Sequence, residues 1–144
     1  MDLKRIVDEA KNGVVETYYD NGQLLTRANY KDDKYEGSYE SWYENGQQWE
    51  RETYKDGKLD GLREMWYPTG QQLSRANYKD GERNGLCEYW HDNGQLSRRE
   101  IYKDGNRDGL HESWDHAGNL IASAVYKNGV KQQNQNKNGS KKNS

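Results

Sequence analysis

Histidine, cysteine and carboxylate side chains are the groups in this sequence whose chemistry could support catalysis or metal binding. The chain of 144 residues has three histidines, His91, His111 and His116, and one cysteine, Cys87. The histidines do not show the short ligand spacings of a zinc site, and no histidine or acidic partner recurs with Cys87. We therefore expect no metal, no cofactor and no enzymatic activity, with Cys87 as a small strand residue.

The carboxylates and glycines recur with one fixed period, which indicates a structural origin. The glycines Gly13, Gly37, Gly61, Gly85 and Gly109 are each 24 residues apart, and a period of this size is typical of repeat architectures. Every glycine of the repeats lies in a turn or at the start of a strand, so the sequence has no glycine-rich loop of the kind that binds phosphate. The predicted divisions are an N-terminal segment (1–12), five repeats (13–36, 37–60, 61–84, 85–108 and 109–132, together 13–132) and a tail (133–144).

Each repeat contains two stretches of strand-forming residues separated by a turn sequence. In the third repeat these stretches are "GLREMWY" and "QQLSRANY", and both are rich in residues that favour extended chain. Asn-Gly pairs such as Asn45-Gly46 are preferred in two-residue type I′ hairpin turns, and Asp-Gly pairs such as Asp56-Gly57 mark a second turn. The aromatic residues are all Tyr or Trp, whose polar tips suit a thin fold. The sequence therefore predicts an all-β fold, an elongated and curved single-layer meander of tandem β-hairpins.

We number the positions of each repeat from 1 to 24, starting at its opening glycine. With the Asn-Gly pair at the loop centre, position 4 faces position 15 and position 6 faces position 13, and no bulge is needed. This register places Glu40 opposite Arg51, where opposite charges contribute about 0.2–1 kcal/mol, and Trp42 opposite Trp49. Positions 2, 4, 6, 11, 13, 15 and 17 share one side of the sheet, the framework face, which hardly changes between repeats. The predicted structural ladder on this face consists of Trp42, Trp66, Trp90, Trp114, Glu40, Arg51, Glu64, Arg75, Glu88 and Arg99.

The opposite side of the sheet, the divergent face, carries positions 3, 5, 7, 12, 14, 16 and 18. Positions 3, 5 and 7 vary most between repeats, and position 3 alone reads Tyr39, Arg63 and Cys87 in the three middle repeats. Repeat proteins use such surfaces for binding, although exposed positions that tolerate change would vary in the same way. Tyrosine and arginine dominate binding hot spots. We predict partner contacts at Tyr39, Tyr43, Arg63, Tyr67, Tyr89 and His91.

The repeats resemble the bacterial variant of the MORN repeat (membrane occupation and recognition nexus). The stretches "NGQLLTRANYKDDKYEG" and "ENGQQWERETYKDGKLDG" carry this resemblance. Departures include Asp33 in place of the turn glycine and Ala117 in place of Asn. The resemblance implies a stack of antiparallel hairpins that serves as a protein-interaction scaffold, and it extends to antitoxin-like and immunity-like members of the family.

The two ends of the chain differ from the repeats. Leu3, Ile6, Val7 and Ala10 fall on one helical stripe, which predicts a short N-terminal capping helix over residues 1–12. The tail is polar and is expected to be disordered. No apolar run has the length of a transmembrane segment, and the N-terminus lacks the apolar core of a signal peptide. A cytoplasmic location is therefore expected.

The charge balance indicates what kind of partner the repeats would bind. Residues 1–132 carry 19 basic and 24 acidic residues, a net charge of −5, and the tail adds +3, which gives −2 overall. A body of this sign is a poor nucleic-acid binder but suits a basic protein, such as a nuclease-type toxin. Ordinary solubility charge would explain the same balance. The oligomeric state is not predicted.

Two functions are favoured from the sequence alone, and a third, the lipid-headgroup binding that the family's name suggests, stays open although the acidic body argues against it. The leading one is a non-enzymatic scaffold for protein–protein interaction, in particular an antitoxin or immunity protein that holds a partner protein. The alternative is a glycan or cell-wall binding module, because tandem aromatic hairpins with Asn-Gly turns also resemble choline-binding repeats, whose Trp and Tyr residues cage quaternary ammonium groups.

Overall fold

The chain forms one antiparallel sheet in the computed structural model, which describes residues 10–133. Thirteen strands make up this sheet: β1 (Gly13–Tyr18), β2 (Leu24–Lys31), β3 (Lys34–Trp42), β4 (Gln48–Lys55), β5 (Lys58–Leu59), β6 (Gly61–Trp66), β7 (Gln72–Lys79), β8 (Glu82–Trp90), β9 (Leu96–Lys103), β10 (Asn106–Arg107), β11 (Gly109–Trp114), β12 (Leu120–Lys127) and β13 (Val130–Lys131). Strands that follow one another in the chain are neighbours in the sheet, except that β5 and β10 pair only with the strand before them.

The predicted all-β arrangement of tandem hairpins is confirmed by this strand order. The predicted capping helix falls mostly on residues 1–9, which lie outside the described residues, and residues 10–12 are not helical. The predicted disordered tail lies, from residue 134 onward, outside the described residues as well.

The Asn-Gly turns differ from the type I′ turns that the sequence predicts. In the second repeat Gly46 N donates to Tyr43 O (2.9 Å) and Tyr43 N donates to Gln47 O (2.8 Å). Gly46 has a φ of 87°, whereas Asn45 is not among the residues with positive φ. This geometry is a three-residue loop, a type I turn closed by a glycine bulge. The Asn45 side chain stabilises it, because its Oδ1 accepts a hydrogen bond from Gln47 N (2.9 Å).

The longer loop changes the pairing of the tryptophan row. Trp42 lies opposite Gln48, and the register shifts between Ser41 and Trp42. The predicted pairing of Trp42 with Trp49, without a bulge, is therefore wrong. The predicted place of position 12 on the divergent face is wrong for the same reason, because Gln48 Nε2 donates to Glu40 Oε2 (3.4 Å) on the framework face. The same shift recurs at the other tryptophans. Trp66, Trp90 and Trp114 lie opposite the residues at position 12 of their repeats, Gln72, Leu96 and Leu120, and not opposite the residues at position 13.

The Asp-Gly turns are the two-residue turns of the fold. Asp56 and Gly57 have φ values of 51° and 81°, and they connect the cross-strand pair Lys55 and Lys58. Two consecutive positive φ values are the requirement of a type I′ turn. The first repeat lacks the glycine, and Asp33 takes the left-handed conformation there, with a φ of 68°.

The buried core lies on the divergent face. The residues with the least exposure are Ala28, Ser41, Glu52, Ser74, Ala76, Cys87, Glu100 and Tyr102, at positions 3, 5, 14, 16 and 18 of their repeats. The tryptophans of the framework face at position 6 are half-buried. The sheet is a single layer in the described residues, so this burial comes from neighbouring side chains on the same face. The divergent positions are therefore not simply exposed positions that tolerate change.

Candidate binding face

The divergent face packs because large and small side chains alternate across its strands. Tyr39 lies between Ala28 and Glu52, the residues opposite it on the two neighbouring strands. Position 16 itself alternates and reads Ala28, Glu52, Ala76, Glu100 and Ala124. Large residues fill the space that the alanines leave, as close packing requires. The alternation is visible in the sequence and was the signal that could have identified this face as the core.

A carboxylate cluster lies on this face in the second and third repeats. Arg63 Nε is 2.9 Å from Glu52 Oε1, and Arg63 Nη2 is 3.7 Å from Glu50 Oε2. The Glu52 side chain is 5% exposed, and the Tyr54 hydroxyl donates to its Oε2. Burial raises the pKa of Glu50, and the neighbouring Glu52 carboxylate raises it further. One arginine therefore compensates two adjacent carboxylates.

Four tyrosine rings form an aromatic cluster beside the carboxylates. The Tyr35 ring centroid lies 5.0 Å from that of Tyr30, 5.3 Å from that of Tyr39 and 4.9 Å from that of Tyr54. These are distances at which aromatic pairs stabilise one another. Burial, followed by the contact with Tyr30, raises the pKa of Tyr35 to about 12. Tyr35 therefore remains a neutral hydroxyl donor throughout the physiological range.

A second ionic cluster lies in the fourth repeat. Arg98 Nε is 2.5 Å from Glu100 Oε1, and the Tyr102 hydroxyl donates to Glu100 Oε2. The Arg98 guanidinium also lies 4.3 Å from the centroid of the Tyr89 ring, a cation–π contact. Cys87 is fully buried beside this cluster, and burial raises the pKa of its thiol, which makes it a poor nucleophile.

The residues at position 7 connect consecutive repeats. The Tyr43 hydroxyl donates to Trp66 O (2.6 Å) and the Tyr67 hydroxyl donates to Trp90 O (2.7 Å). His91 takes the same place in the fourth repeat, where its Nε2 lies 2.8 Å from Trp114 O. A side chain from one repeat thus satisfies a backbone carbonyl of the next, and the hydrogen bond recurs with the period of the chain.

The six predicted contact residues form two groups. Tyr39, Arg63 and Tyr89 lie on strands β3, β6 and β8 of the divergent face, whereas Tyr43, Tyr67 and His91 lie at the hairpin ends and bond the next repeat. All six are half-buried. Their role in binding a partner remains a prediction.

The framework face carries a continuous row of alternating charges. Arg51 lies opposite Glu40 of its own repeat and opposite Glu64 of the next, and its Nε is 3.6 Å from Glu40 Oε2. Glu64 lies opposite Arg75 but also accepts a hydrogen bond from Gln72 Nε2 (3.1 Å). Glu88 pairs with Arg99 in the fourth repeat, at 3.3 Å. These pairs are partly exposed, so each contributes roughly 0–1 kcal/mol.

The repeated register, the period of 24 residues and the repeat-to-repeat hydrogen bonds describe one structural unit used five times. The profile described as MORN repeat variant matches five segments of the chain: 11–32, 35–56, 59–80, 83–104 and 107–128. The chain belongs to the MORN repeat variant family. No curated protein matches the sequence.

The comparison with solved structures adds no argument about function. A crystal structure of a mutant of S. aureus TarM, in complex with fondaparinux, alpha-GlcNAc-glycerol and UDP, aligns with the chain at a TM-score of 0.36 and 14% sequence identity. The alignment covers 91% of this chain but 23% of that chain.

One pair of side chains in the MORN repeats was missed from the sequence. The rings of His91 and His116 lie 4.0 Å apart, centroid to centroid, although 25 residues separate them. The repeat period of 24 residues explains this contact, because it places His116, at position 8 of the last hairpin, beside His91, at position 7 of the hairpin before it. Among residues 10–133, no group of three histidine, cysteine or carboxylate side chains is placed to hold a metal ion. In the same part of the chain, no helix is long and apolar enough to cross a membrane.

Proposed function

We propose that this MORN repeat protein is a non-catalytic scaffold that binds a protein partner on its divergent face, in the cytoplasm. The observation that carries the proposal is the contrast between its two faces. The framework face repeats the same Glu–Arg register in the first four hairpins, whereas the divergent face presents a different set of large polar and aromatic side chains in each. A fixed backbone with a varied surface is how repeat proteins build binding sites.

The chemistry of the divergent face favours a basic partner. Repeats one and two carry net charges of −2 and −3, and Glu50 and Glu52 lie together on this face with Arg63 as their cation. The adjacent tyrosine cluster around Tyr35 offers rings with polar tips, the residue type that is enriched at the centres of interfaces. We infer that a positively charged segment of the partner lies over these repeats.

A basic partner fits an antitoxin or immunity protein that neutralises a nuclease-type toxin. An enzyme that acts on nucleic acid presents cations at its active site, and an acidic inhibitor that covers those cations would bind fast and tightly at low salt. This finer proposal makes two statements that the scaffold proposal does not make. The partner is basic, and it is toxic when it is produced alone.

The scaffold proposal is tested by affinity capture from an extract of the source cells. The binding-face variant is Tyr39→Ala/Tyr89→Ala, which removes two rings from the divergent face without touching the hydrogen bonds between repeats. The matched control is Thr53→Ala/Arg75→Ala, two exposed positions on the framework face. We expect the control to capture the same protein as the wild type and the binding-face variant to lose it, while circular dichroism shows all three to be folded. Capture by the binding-face variant at wild-type level would place the site elsewhere.

The finer proposal is tested with the captured protein. Expressed alone it should arrest growth, and co-expression of the wild-type chain, but not of the binding-face variant, should restore growth. The affinity should fall steeply as salt is raised, because screening weakens exposed charge pairs. An acidic or harmless partner would refute the antitoxin proposal and leave the scaffold proposal standing.

The glycan alternative has one structural feature in its favour. Trp49 is 38% exposed and stacks on Tyr43, with ring centroids 5.4 Å apart and an interplanar angle of 22°. Exposed stacked rings are the surface that sugars and quaternary ammonium groups bind. Titration with choline and with cell-wall glycan fragments, followed by tryptophan fluorescence, distinguishes the two functions. Saturable quenching that Trp49→Ala abolishes would favour the alternative.

A further inference from the structure

A cavity of about 230 Å³ opens on the divergent face at the C-terminal end of the sheet. Ala122 and Ala124 contribute small side chains to it, and Arg107, His111, Tyr126 and Lys131 also line it. In the second and fourth repeats, glutamate or arginine fills the positions that these alanines occupy. The space is therefore a consequence of two small residues in the last repeat.

Two of the cations at this cavity contact one tyrosine. Arg107 Nη1 donates to the Tyr126 hydroxyl (3.3 Å), its guanidinium lies 5.1 Å from the ring centroid, and Lys131 of β13 lies directly opposite Tyr126. The backbone of Arg107 on β10 is close to β13 as well, because Arg107 O accepts a hydrogen bond from Gly129 N (2.7 Å). The two long side chains can therefore converge on a ligand beside the Tyr126 ring.

The lining of the cavity carries an excess of positive charge. Arg98, Arg107 and Lys131 are its arginine and lysine side chains, against the carboxylates of Glu100 and Glu112. Arg98 holds Glu100 in an ion pair, whereas within residues 10–133 neither Arg107 nor Lys131 takes part in one. Glu112 therefore offsets one of these two cations at most, and the remaining positive charge attracts anions.

The wall of the cavity supplies further hydrogen-bond donors. His111 Nε2 lies 3.2 Å from the carbonyl oxygen of Ile101, which fixes the ring between Tyr102 and Tyr126, with centroids at 5.6 Å and 4.8 Å. Ser113 and Ser123 add hydroxyls to the lining. A guanidinium, an ammonium and hydroxyls around one small space are the groups that recognise oxyanions.

We propose that this cavity binds a small oxyanion, a carboxylate or phosphate group, with Arg107 and Lys131 as its charged ligands. The volume is below the roughly 300–1,000 Å³ of sites for drug-sized molecules, so the bound species is a small ion or the anionic end of a larger molecule. The inference does not rest on the proposed function, because the cavity lies in repeats four and five, away from the carboxylates of repeat two.

The test uses the full chain at low ionic strength, titrated separately with inorganic phosphate and with succinate, with sodium chloride as the ionic-strength control. Backbone amide chemical shifts report both the affinity and the place of binding. We expect saturable shifts confined to repeats four and five. A response to phosphate alone or to succinate alone identifies the group that is recognised, and a response to both supports a general oxyanion site.

Variants assign the ligands. Arg107→Gln/Lys131→Gln should weaken binding by about a hundredfold or more, since each of the two charge-assisted hydrogen bonds contributes about tenfold or more. Arg83→Gln is the matched control, because Arg83 occupies the same repeat position two hairpins from Lys131 and should change the affinity less than about twofold. Ala124→Leu keeps every charge but fills the space, and should weaken binding as well.

Two results would overturn the proposal. One is the absence of saturable shifts with either anion in the wild-type protein. The other is an affinity that falls equally in the double variant and in Arg83→Gln. That result would show that the anions are attracted to exposed cations in general and not to a specific site. Amide spectra of each variant without anion establish that it is folded.

Discussion

The hydrogen bonds between repeats at position 7 lead to a direct prediction about stability. Replacing Tyr67 with phenylalanine removes the hydroxyl that lies 2.7 Å from Trp90 O and keeps the ring. A neutral hydrogen bond contributes about 0.5–1.5 kcal/mol net, so we expect Tyr67→Phe to lower the free energy of unfolding by about 1 kcal/mol.

The double variant tests whether the bonds act independently. Tyr43 bonds the junction between repeats two and three, and Tyr67 bonds the junction between repeats three and four. The two bonds share no partner, so their effects should add, and Tyr43→Phe/Tyr67→Phe should cost about 2 kcal/mol. For a chain of this size this corresponds to a fall in Tm of roughly 6 °C, and the single variant to roughly 3 °C.

Urea denaturation, followed by tryptophan fluorescence and circular dichroism, measures these differences. Tyr18→Phe is the matched control, because Tyr18 is 56% exposed and its hydroxyl makes no hydrogen bond among residues 10–133. We expect no change from it beyond about 0.3 kcal/mol. If Tyr67→Phe matches the control, the hydrogen bonds at position 7 do not stabilise the stack, and the periodic contact is incidental.

Three further predictions concern other parts of the sheet. Trp66→Ala should destabilise the protein by roughly 2–3 kcal/mol, because the ring is half-buried in the central repeat. Trp114→Ala should cost about 1 kcal/mol, because the terminal repeat has one neighbour fewer. Equal urea midpoints for the two variants would contradict this prediction. Burial and Glu52 raise the pKa of Glu50 in the folded protein, so the folded state binds more protons between the usual glutamate pKa and the raised one, and stability falls as pH rises through that window. Glu50→Gln should therefore flatten the dependence of the urea midpoint on pH just above the usual glutamate pKa, and an unchanged slope would refute the assigned cause. The thiol of Cys87 is fully buried with a raised pKa, so its reaction with a disulfide reagent should follow unfolding by urea; rapid labelling of the native protein would show that the divergent face opens.

The sequence predicted the positions of the candidate site but not the contacts that its residues make. The positions that vary, such as Tyr39 and Arg63, were identified from comparison of the five repeats. The partners of these residues were not, because Arg63 reaches Glu52 across a strand boundary and the choice between several nearby carboxylates depends on side-chain packing. The contact of His91 with His116 was missed for the same reason, since it joins equivalent ends of two hairpins rather than residues of one.

The sequence by itself determined the period, the hairpins and the opposition of Glu40 to Arg51. These follow from local strand propensity, from turn residues at fixed intervals and from alternation along a strand, all of which repeat five times and reinforce one another. The tertiary structure decided the loop at Asn45-Gly46, and it showed which side of the sheet is buried, a choice that the sequence indicates only through the alternation at position 16. The length of the loop depends on the hydrogen bond from Gln47 N to the Asn45 side chain. Burial in a single-layer sheet depends on how side chains from neighbouring repeats pack against one another.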